Sequence, residues 1–513
     1  MTASAEDVFL PDWLMRCAQY TPERLAVQCG LVRWSFADLA RQADRLARQL
    51  AAAGVGVQSR VALLAANGLA YVACVHALSH LGAVLVPLNT RLTTAELRWQ
   101  IEDVRAMLLV SDASMADLAR ELDLALPRAL LQVRSAAADN AEIVLLTCQG
   151  SPYAEDIVSV RALIDLAATQ VIMYTSGTTG RPKGVIITYA MQWWNAVGSA
   201  LNLGHQPADR WLACLPLFHI GGLSILMRSV IYGISVLLLE KFDEHAVNQA
   251  IRCEGVTIIS LVAVMLQRLL AAAGCAEGQM YPTTLRCVLL GGGPAPRPLL
   301  ERCASLHLPI AQTYGLTESC SQAVTLAPSD ALRKPGSAGR PLLPLQLQIL
   351  QDAHPVPAGE VGTIYLKGPT ITPGYADRPA ATAEALQDGW FCTGDLGYLD
   401  RDGYLYVLDR RSDLIISGGE NVYPAEIESV LLAHPAVAEA GVCAQDDPCW
   451  GQVPLAFVRL HAACSVEPEE LLTHVHHFLA SYKVPRQIVF VESLPRNSSG
   501  KLLRRELPRL LTA

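Results

Sequence analysis

The sequence predicts an α/β protein. The expected architecture is a large N-terminal domain of parallel sheets with flanking helices and a distorted β-barrel, then a small α+β C-terminal domain. Three observations predict it. Apolar runs of strand length alternate with helical patterns from Phe36 to Glu318, the signature of strands joined through helices. From Gly336 to Asp409 short alternating strands broken by Pro and Gly replace that pattern. Beyond Asp409 helices and strands mix again.

Phe36–Ala53 carries apolar residues at helical spacing and stops at Gly54. Val61–Gly68 is a short buried strand entering a turn, Leu69–Leu81 a helix of small residues, and Gly82–Asn89 a second buried strand. Thr94–Asp103 and Met107–Ser111 continue as helix and strand, whereas Asp112–Ala168 is less regular and expected at a sheet edge. From Gln170 onward, VIMYT precedes SGTTGRPKG, RCVLL precedes GGGPAP, and PIAQTYG precedes LTES. They are expected to be strands of one unit, each delivering a Gly or Thr/Ser loop. Ligands of open α/β sheets bind beyond such strand ends. LQLQIL, TIYLKG and YLYVLD then suggest an antiparallel sheet or distorted barrel over about 336–409. A charged junction at Asp409–Ser412 divides 1–409 from 410–513, where AEIESVLLAH and PEELLTHVHHFLASY are helices and VAEAGVCA and PLAFVRL strands.

Composition excludes several classes. With 51% apolar and 17% charged residues the chain is not disordered. Its 40 basic and 48 acidic residues argue against bulk nucleic-acid binding. Glu6 and Asp7 stand where a signal peptide carries positive charge, so a cytoplasmic setting is expected. Ile220–Leu239 holds Arg228, and Ile258–Gly274 holds Gln267 and Arg268; both fall short of the ~20 apolar residues of a membrane span and are expected in the core. The 14 cysteines show no CxxC and are expected to be reduced and mostly buried.

Tyr174–Gly184 reads YTSGTTGRPKG. Thr175, Ser176, Thr178 and Thr179 offer hydroxyls, Gly177 and Gly180 admit close backbone approach, and Lys183 adds a cation: a polyphosphate cradle by composition. It is not a Walker A loop, because Gly184 follows Lys183 where Ser or Thr is required.

The segment resembles the signature of the adenylate-forming superfamily of acyl-CoA synthetases, luciferases and peptide-synthetase adenylation domains. YGLTES (Tyr314–Ser319), GWFCTGDLG (Gly389–Gly397), Tyr404–Glu428 and SSGKLLRR (Ser498–Arg505) match further motifs in the family's order, so the resemblance spans essentially the whole chain. It implies ATP and CoA as co-substrates, with Mg²⁺. Tyr314 would stack on adenine beside Gly291, Gly292 and Gly293; Thr317 would contact the α-phosphate and Glu318 would hold Mg²⁺. Asp395 would take the ribose hydroxyls, and Arg410 would reach ribose and phosphate. Lys501 would swing in to stabilise charge as a carboxylate attacks the α-phosphorus and pyrophosphate leaves. Rotation at Ser412, where many relatives carry Asp or Lys, would then bring Gly418 and Gly419 to line a pantetheine channel. The CoA thiol would displace AMP. The partners implied are small molecules, and a homo-oligomer is left open.

Five longer stretches, Gln192–Gly204, Pro216–Gly233, Leu285–Leu300, Gln312–Leu326 and Leu332–Leu342, resemble one branch, CoA ligases of an aromatic dicarboxylic acid. Gly221 replaces a serine expected there. The resemblance places His219 at the mouth of the acyl pocket, orienting rather than exchanging protons, and Thr313 on the substrate side. Arg228 stands alone in an apolar stretch, and a buried guanidinium needs an anion. That anion is either an internal Asp or Glu or the substrate's second carboxylate. Trp193 and Trp194 are expected to pack a helix, and His474, His476 and His477 to lie on the surface. Two alternatives remain: another aryl or medium-chain acyl-CoA ligase, and a catalytically silent nucleotide-binding protein. Against the latter stand Lys183, Glu318, Asp395 and Lys501.

Overall fold

The computed structural model describes all residues except 1–7, 123, 136–140, 156–160, 176–181, 274–280, 294, 332, 411–412, 418–419, 448–449, 463, 480, 498–499 and 512–513. The predicted α/β class holds. Two large, mainly parallel sheets carry flanking helices, and two further sheets are largely antiparallel.

The seven-stranded sheet runs Lys183–Thr188, Thr169–Thr175, Val84–Pro87, Arg60–Leu64, Leu108–Asp112, Arg128–Ser135, Ala141–Thr147. Its inner strands are parallel and its two outermost pairings antiparallel. The irregular stretch after Asp112 thus supplies the edge, as expected. Helix Phe36–Ala52 begins where the Ser35 side chain and Asp38 form a reciprocal capping box, and it buries Phe36, Leu39, Ala43, Leu46 and Leu50. Helix Leu69–Leu81 is buried on every side and ends at Gly82, whose φ of +66° suits glycine.

The nine-stranded sheet runs Arg340–Pro341, Val324–Thr325, Ile310–Tyr314, Cys287–Leu290, Ile258–Leu261, Arg210–Ala213, Ser235–Leu238, Leu25–Cys29, Val32–Ser35. This order corrects one expectation. The strand before SGTTG belongs to the first sheet, pairing Val171 with Leu85, whereas those before GGGPAP and LTES lie side by side in the second. Both sheets use short buried runs of similar composition, so local pattern does not assign a strand to its sheet.

The two apolar windows fold as helix Ile220–Tyr232 with strand Ser235–Leu238, and strand Ile258–Leu261 with helix Ala263–Ala272. Among the described residues no helix is long and apolar enough to cross a membrane. Trp193 stacks on Trp13 with centroids 6.3 Å apart, but Trp194 is 40% exposed, so only the first packs its helix as expected. Among the described cysteines none is in a disulfide, and most are buried. His476 and His477 are exposed, whereas His474 is partly covered and contacts the Val430 carbonyl at 3.1 Å.

The third sheet is an open antiparallel half-barrel in which Trp390–Leu399 pairs with both Gly362–Lys367 and Leu405–Arg410. The fourth, spanning Ile415 to Phe490, carries helices Pro424–Leu432 and Pro468–Phe478 over a core that includes Ile415, Ile427, Val442, Val458 and Leu471.

Candidate active site

The strands on either side of the hydroxyl segment are antiparallel and pair Thr175 with Lys183 and Tyr174 with Gly184. A Cβ on Gly184 would lie 2.8 Å from Ile172 Cγ2, so the pairing demands glycine. Ser176, Gly177, Thr178 and Thr179 lie outside the described residues. The loop's flank does reach the rest of the site: Lys183 Nζ is 5.0 Å from the Tyr375 ring centroid, and the Tyr375 hydroxyl donates to Glu318 Oε1 at 3.1 Å.

The glycine loop leaves strand Cys287–Leu290. A Cβ on Gly291 would sit 2.8 Å from Thr313 Cγ2, and one on Gly292, at φ +79°, would sit 3.0 Å from Val262 Cγ1. Gly293 faces open space. Thr313 turns its hydroxyl inward, donating to the Val324 carbonyl at 3.1 Å and lying 2.8 Å from Thr325 Oγ1.

Tyr314 ends the neighbouring strand, and its hydroxyl donates to Asp395 Oδ2 at 2.7 Å, joining the third loop to the half-barrel. Asp395 is buried and pairs in register with Arg410. Thr317 and Glu318, both half-buried, lie in a tight turn. The turn is unusually constrained. Cys320 and Ser321 have φ of +58° and +92°, and a Cβ on Gly315 would fall 1.6 Å from the Ser321 carbonyl oxygen.

Behind this turn lies Arg228, 2% exposed. Its guanidinium donates to Asn195 Oδ1 at 2.6 Å and Ser224 Oγ at 3.2 Å, while Nε has no hydrogen-bond partner among the described residues. The Trp211 ring lies 5.3 Å away. Among the described residues no carboxylate pairs with it, so the internal ion pair is not found, and burial lowers its pKa. Asn195 in turn donates to the carbonyls of Gln322 at 2.7 Å and Ser319 at 3.3 Å, clamping the turn.

His219 caps helix Ile220–Tyr232 beside the Phe218 ring, 4.7 Å away. Burial, aided by the Arg91 cation, pushes its imidazole down to about 4, so it is neutral at pH 7. Gly222 is forced by the Pro216 carbonyl oxygen, 2.3 Å from a would-be Cβ, whereas Gly221 has room for a side chain.

Lys501 is exposed on a turn held by its neighbours. Its N–H donates to Asn497 Oδ1 at 2.8 Å, and Arg496 donates to the Gly500 carbonyl at 2.9 Å while forked onto Glu439. A Cβ on Gly500 would lie 3.8 Å from Val262 Cγ2. Val262 is the residue that also abuts Gly292, so the C-terminal turn sits against the glycine loop. Ser412, Gly418 and Gly419 lie outside the described residues, as does the side chain of Arg410.

The site therefore gathers Lys183, Gly291, Gly292, Tyr314, Glu318 and Asp395 from three sheets, with the Lys501 turn alongside. Tyr375 and Asn195 escaped the sequence reading because no glycine or hydroxyl cluster marks them. Among the described residues there is no group of three or more His, Cys, Asp or Glu able to cage a metal. One carboxylate and a neighbouring hydroxyl suit Mg²⁺, which takes few protein ligands beside phosphate oxygens.

A family model described as AMP-binding enzyme matches residues 14–376, and one for the AMP-binding enzyme C-terminal domain matches 426–501. A 2-succinylbenzoate–CoA ligase of Geobacillus kaustophilus is 51% identical, covering 98% of both chains. One from Bacillus cereus is 48% identical, also covering 98% of both. The Bacillus subtilis o-succinylbenzoate CoA synthetase solved with the acyl-adenylate intermediate OSB-AMP superposes with a TM-score of 0.87 at 44% identity, over 98% of each chain. The same enzyme with ATP and magnesium ion gives 0.88 at 44% identity, over 98% of this chain and 100% of that one. The chain belongs to the AMP-binding enzyme family and stands within it among the 2-succinylbenzoate–CoA ligases.

Proposed function

We propose that this chain is a 2-succinylbenzoate–CoA ligase of menaquinone biosynthesis. It adenylates the succinyl carboxylate with ATP, releases pyrophosphate, then passes the acyl group to CoA and releases AMP. The observation that carries this reading is the convergence of Lys183, Glu318, Tyr314 and Asp395, from separate sheets, beside the turn of Lys501.

The attacking carboxylate is already ionised at pH 7, so no general base is needed, and a neutral His219 orients the acyl chain. Thr175 to Thr179, Lys183 and Thr317 hold the phosphates, and Tyr314, Gly291–Gly293, Asp395 and Arg410 hold the nucleoside. Lys501 offsets the charge that grows on the bridging oxygens. Bound through Glu318, Mg²⁺ would neutralise phosphate charge. In the second step residues 410–513 turn against 1–409 about Ser412, and Gly418 and Gly419 border the thiol's path. Arg228 faces the ring carboxylate: a buried cation with no carboxylate partner among the described residues favours a dicarboxylic acid over a simple aryl acid. The likeness to biosynthetic CoA ligases supports a cytoplasmic setting.

The test is an assay with ATP, CoA and 2-succinylbenzoate, with the thioester identified by mass and a panel of aryl and medium-chain acids in ATP–pyrophosphate exchange. A preference for another acid replaces the substrate, and no AMP with any acid removes the enzyme reading. Lys501→Ala is expected to cut exchange by about 100-fold or more, yet to keep thioester formation from presynthesised acyl-adenylate.

A further inference from the structure

We propose that Tyr375 is a positioning residue of the adenylation site, its hydroxyl orienting the Glu318 carboxylate while its ring seats the Lys183 ammonium. This rests on the reading of Glu318 as metal ligand and Lys183 as phosphate cation. The three residues come from three segments: the hairpin strand Lys183–Thr188, the turn Thr317–Ser319, and the stretch before helix Pro379–Ala385.

The backbone carrying Tyr375 is tied to both of the others. Thr372 N–H donates to the Glu318 carbonyl at 2.8 Å, and its hydroxyl donates to the Ile186 carbonyl at 2.6 Å. Ile186 N–H donates to Gly374 at 3.1 Å, Ala376 N–H to Gly184 at 2.8 Å, and Val185 bridges Tyr375. On its other side Tyr375 N–H donates to Thr382 Oγ1 at 3.0 Å, and a Cβ on Gly374 would meet Thr382 Cγ2 at 2.5 Å. The backbone from which the phenol projects is therefore fixed to both segments by main-chain contacts.

From that position it does two things. Its hydroxyl donates to Glu318 Oε1 at 3.1 Å; a carboxylate has about four lone-pair sites, and a donor on one of them sets the direction of the others, as outer contacts do for metal ligands. Its ring lies 5.0 Å from Lys183 Nζ, within the range of a cation–π contact. One side chain thus sets the spacing between the metal carboxylate and the phosphate cation.

The experiment uses the full chain as Tyr375→Phe, Tyr375→Leu, Glu318→Gln and the double variant Tyr375→Phe/Glu318→Gln, each checked by thermal melting. ATP binding is measured by calorimetry across a Mg²⁺ titration, with exchange rates alongside. Tyr375→Phe is expected to raise the Mg²⁺ midpoint about fivefold while leaving ATP affinity at saturating Mg²⁺ within about twofold, the hydroxyl being worth roughly one ordinary net hydrogen bond. Tyr375→Leu should weaken ATP affinity further, and Phe should recover that part. The double variant should match Glu318→Gln alone. A native Mg²⁺ midpoint in Tyr375→Phe, or additive shifts in the double variant, overturns the proposal. A native midpoint in Glu318→Gln overturns instead the assignment of Glu318, and with it any coupling through Tyr375.

Discussion

At the scale of single residues, Arg228 poses the sharpest energetic question. Its charge is buried against neutral oxygens and an indole ring, with Nε unbonded among the described residues, and such a site is costly until an anion arrives. Arg228→Leu is expected to lower kcat/KM for 2-succinylbenzoate by about 100-fold, the usual cost of truncating a buried charge partner. A mono-acid lacking the ring carboxylate should lose less than about threefold. Steady-state kinetics on both acids checks this. Equal losses would assign Arg228 to the Asn195 clamp rather than to substrate. Lys501, Glu318 and Asp395 were legible because each sits in a motif with distinctive neighbours. Tyr375 was not, since a tyrosine after a glycine has no local mark and acquires its meaning from Glu318, 57 positions away.

At the scale of elements, the turn after strand Ile310–Tyr314 is the most constrained part of the site. With 1.6 Å between a would-be Cβ on Gly315 and the Ser321 carbonyl oxygen, Gly315→Ala must move the turn that carries Thr317 and Glu318. Exchange activity is expected to fall by about 100-fold, since a misplacement near 1 Å costs that much. Thermal melting should still show a cooperative fold, because the turn lies beyond the strand end. Gly221→Ser offers the contrast. Only Leu215 Cδ1, at 3.5 Å, approaches its Cβ position, so melting temperature should stay within about 2 °C and activity within about threefold. The loops' chemical character was legible at this scale, but their clamps were not: Asn195 reaches Gln322 across 127 residues.

Taken as a whole molecule, the protein buries ionisable groups that the adenylation reading does not use. His76, inside helix Leu69–Leu81, has its imidazole pushed down to about 4 by burial, with His80 adding and Asp12 opposing. Its unfolded value is 6.5. Between these values the unfolded chain binds the proton more readily than the folded one. Stability is therefore full above pH 6.5 and declines as pH falls toward 4, by on the order of 3 kcal/mol from this residue. Asp12, 3% exposed and lowered despite burial by the His80 imidazole 3.7 Å away and by the Met15 N–H that donates to it, sheds stability in the same direction at lower pH. Denaturant titrations from pH 7 to 4 should show the decline, and His76→Gln should flatten it.

Periodicity and turn chemistry are local, so the amino-acid sequence alone determined where the strongly patterned strands and helices lie, which loops are rich in hydroxyls and glycines, and the order of motifs marking an adenylate-forming chain, but not the elements within 112–168. Helices Leu69–Leu81 and Thr94–Asp103 fall where their patterns predicted. Only the tertiary structure decided that Thr169–Thr175 joins one sheet while Cys287–Leu290 and Ile310–Tyr314 join another, so that Lys183 and Glu318 reach Tyr375 from separate sheets. Buried strands of like composition can satisfy their hydrogen bonds in either sheet. The choice rests on how the whole chain packs, and with it the pairing of Glu318 with Tyr375 and the seating of Arg228.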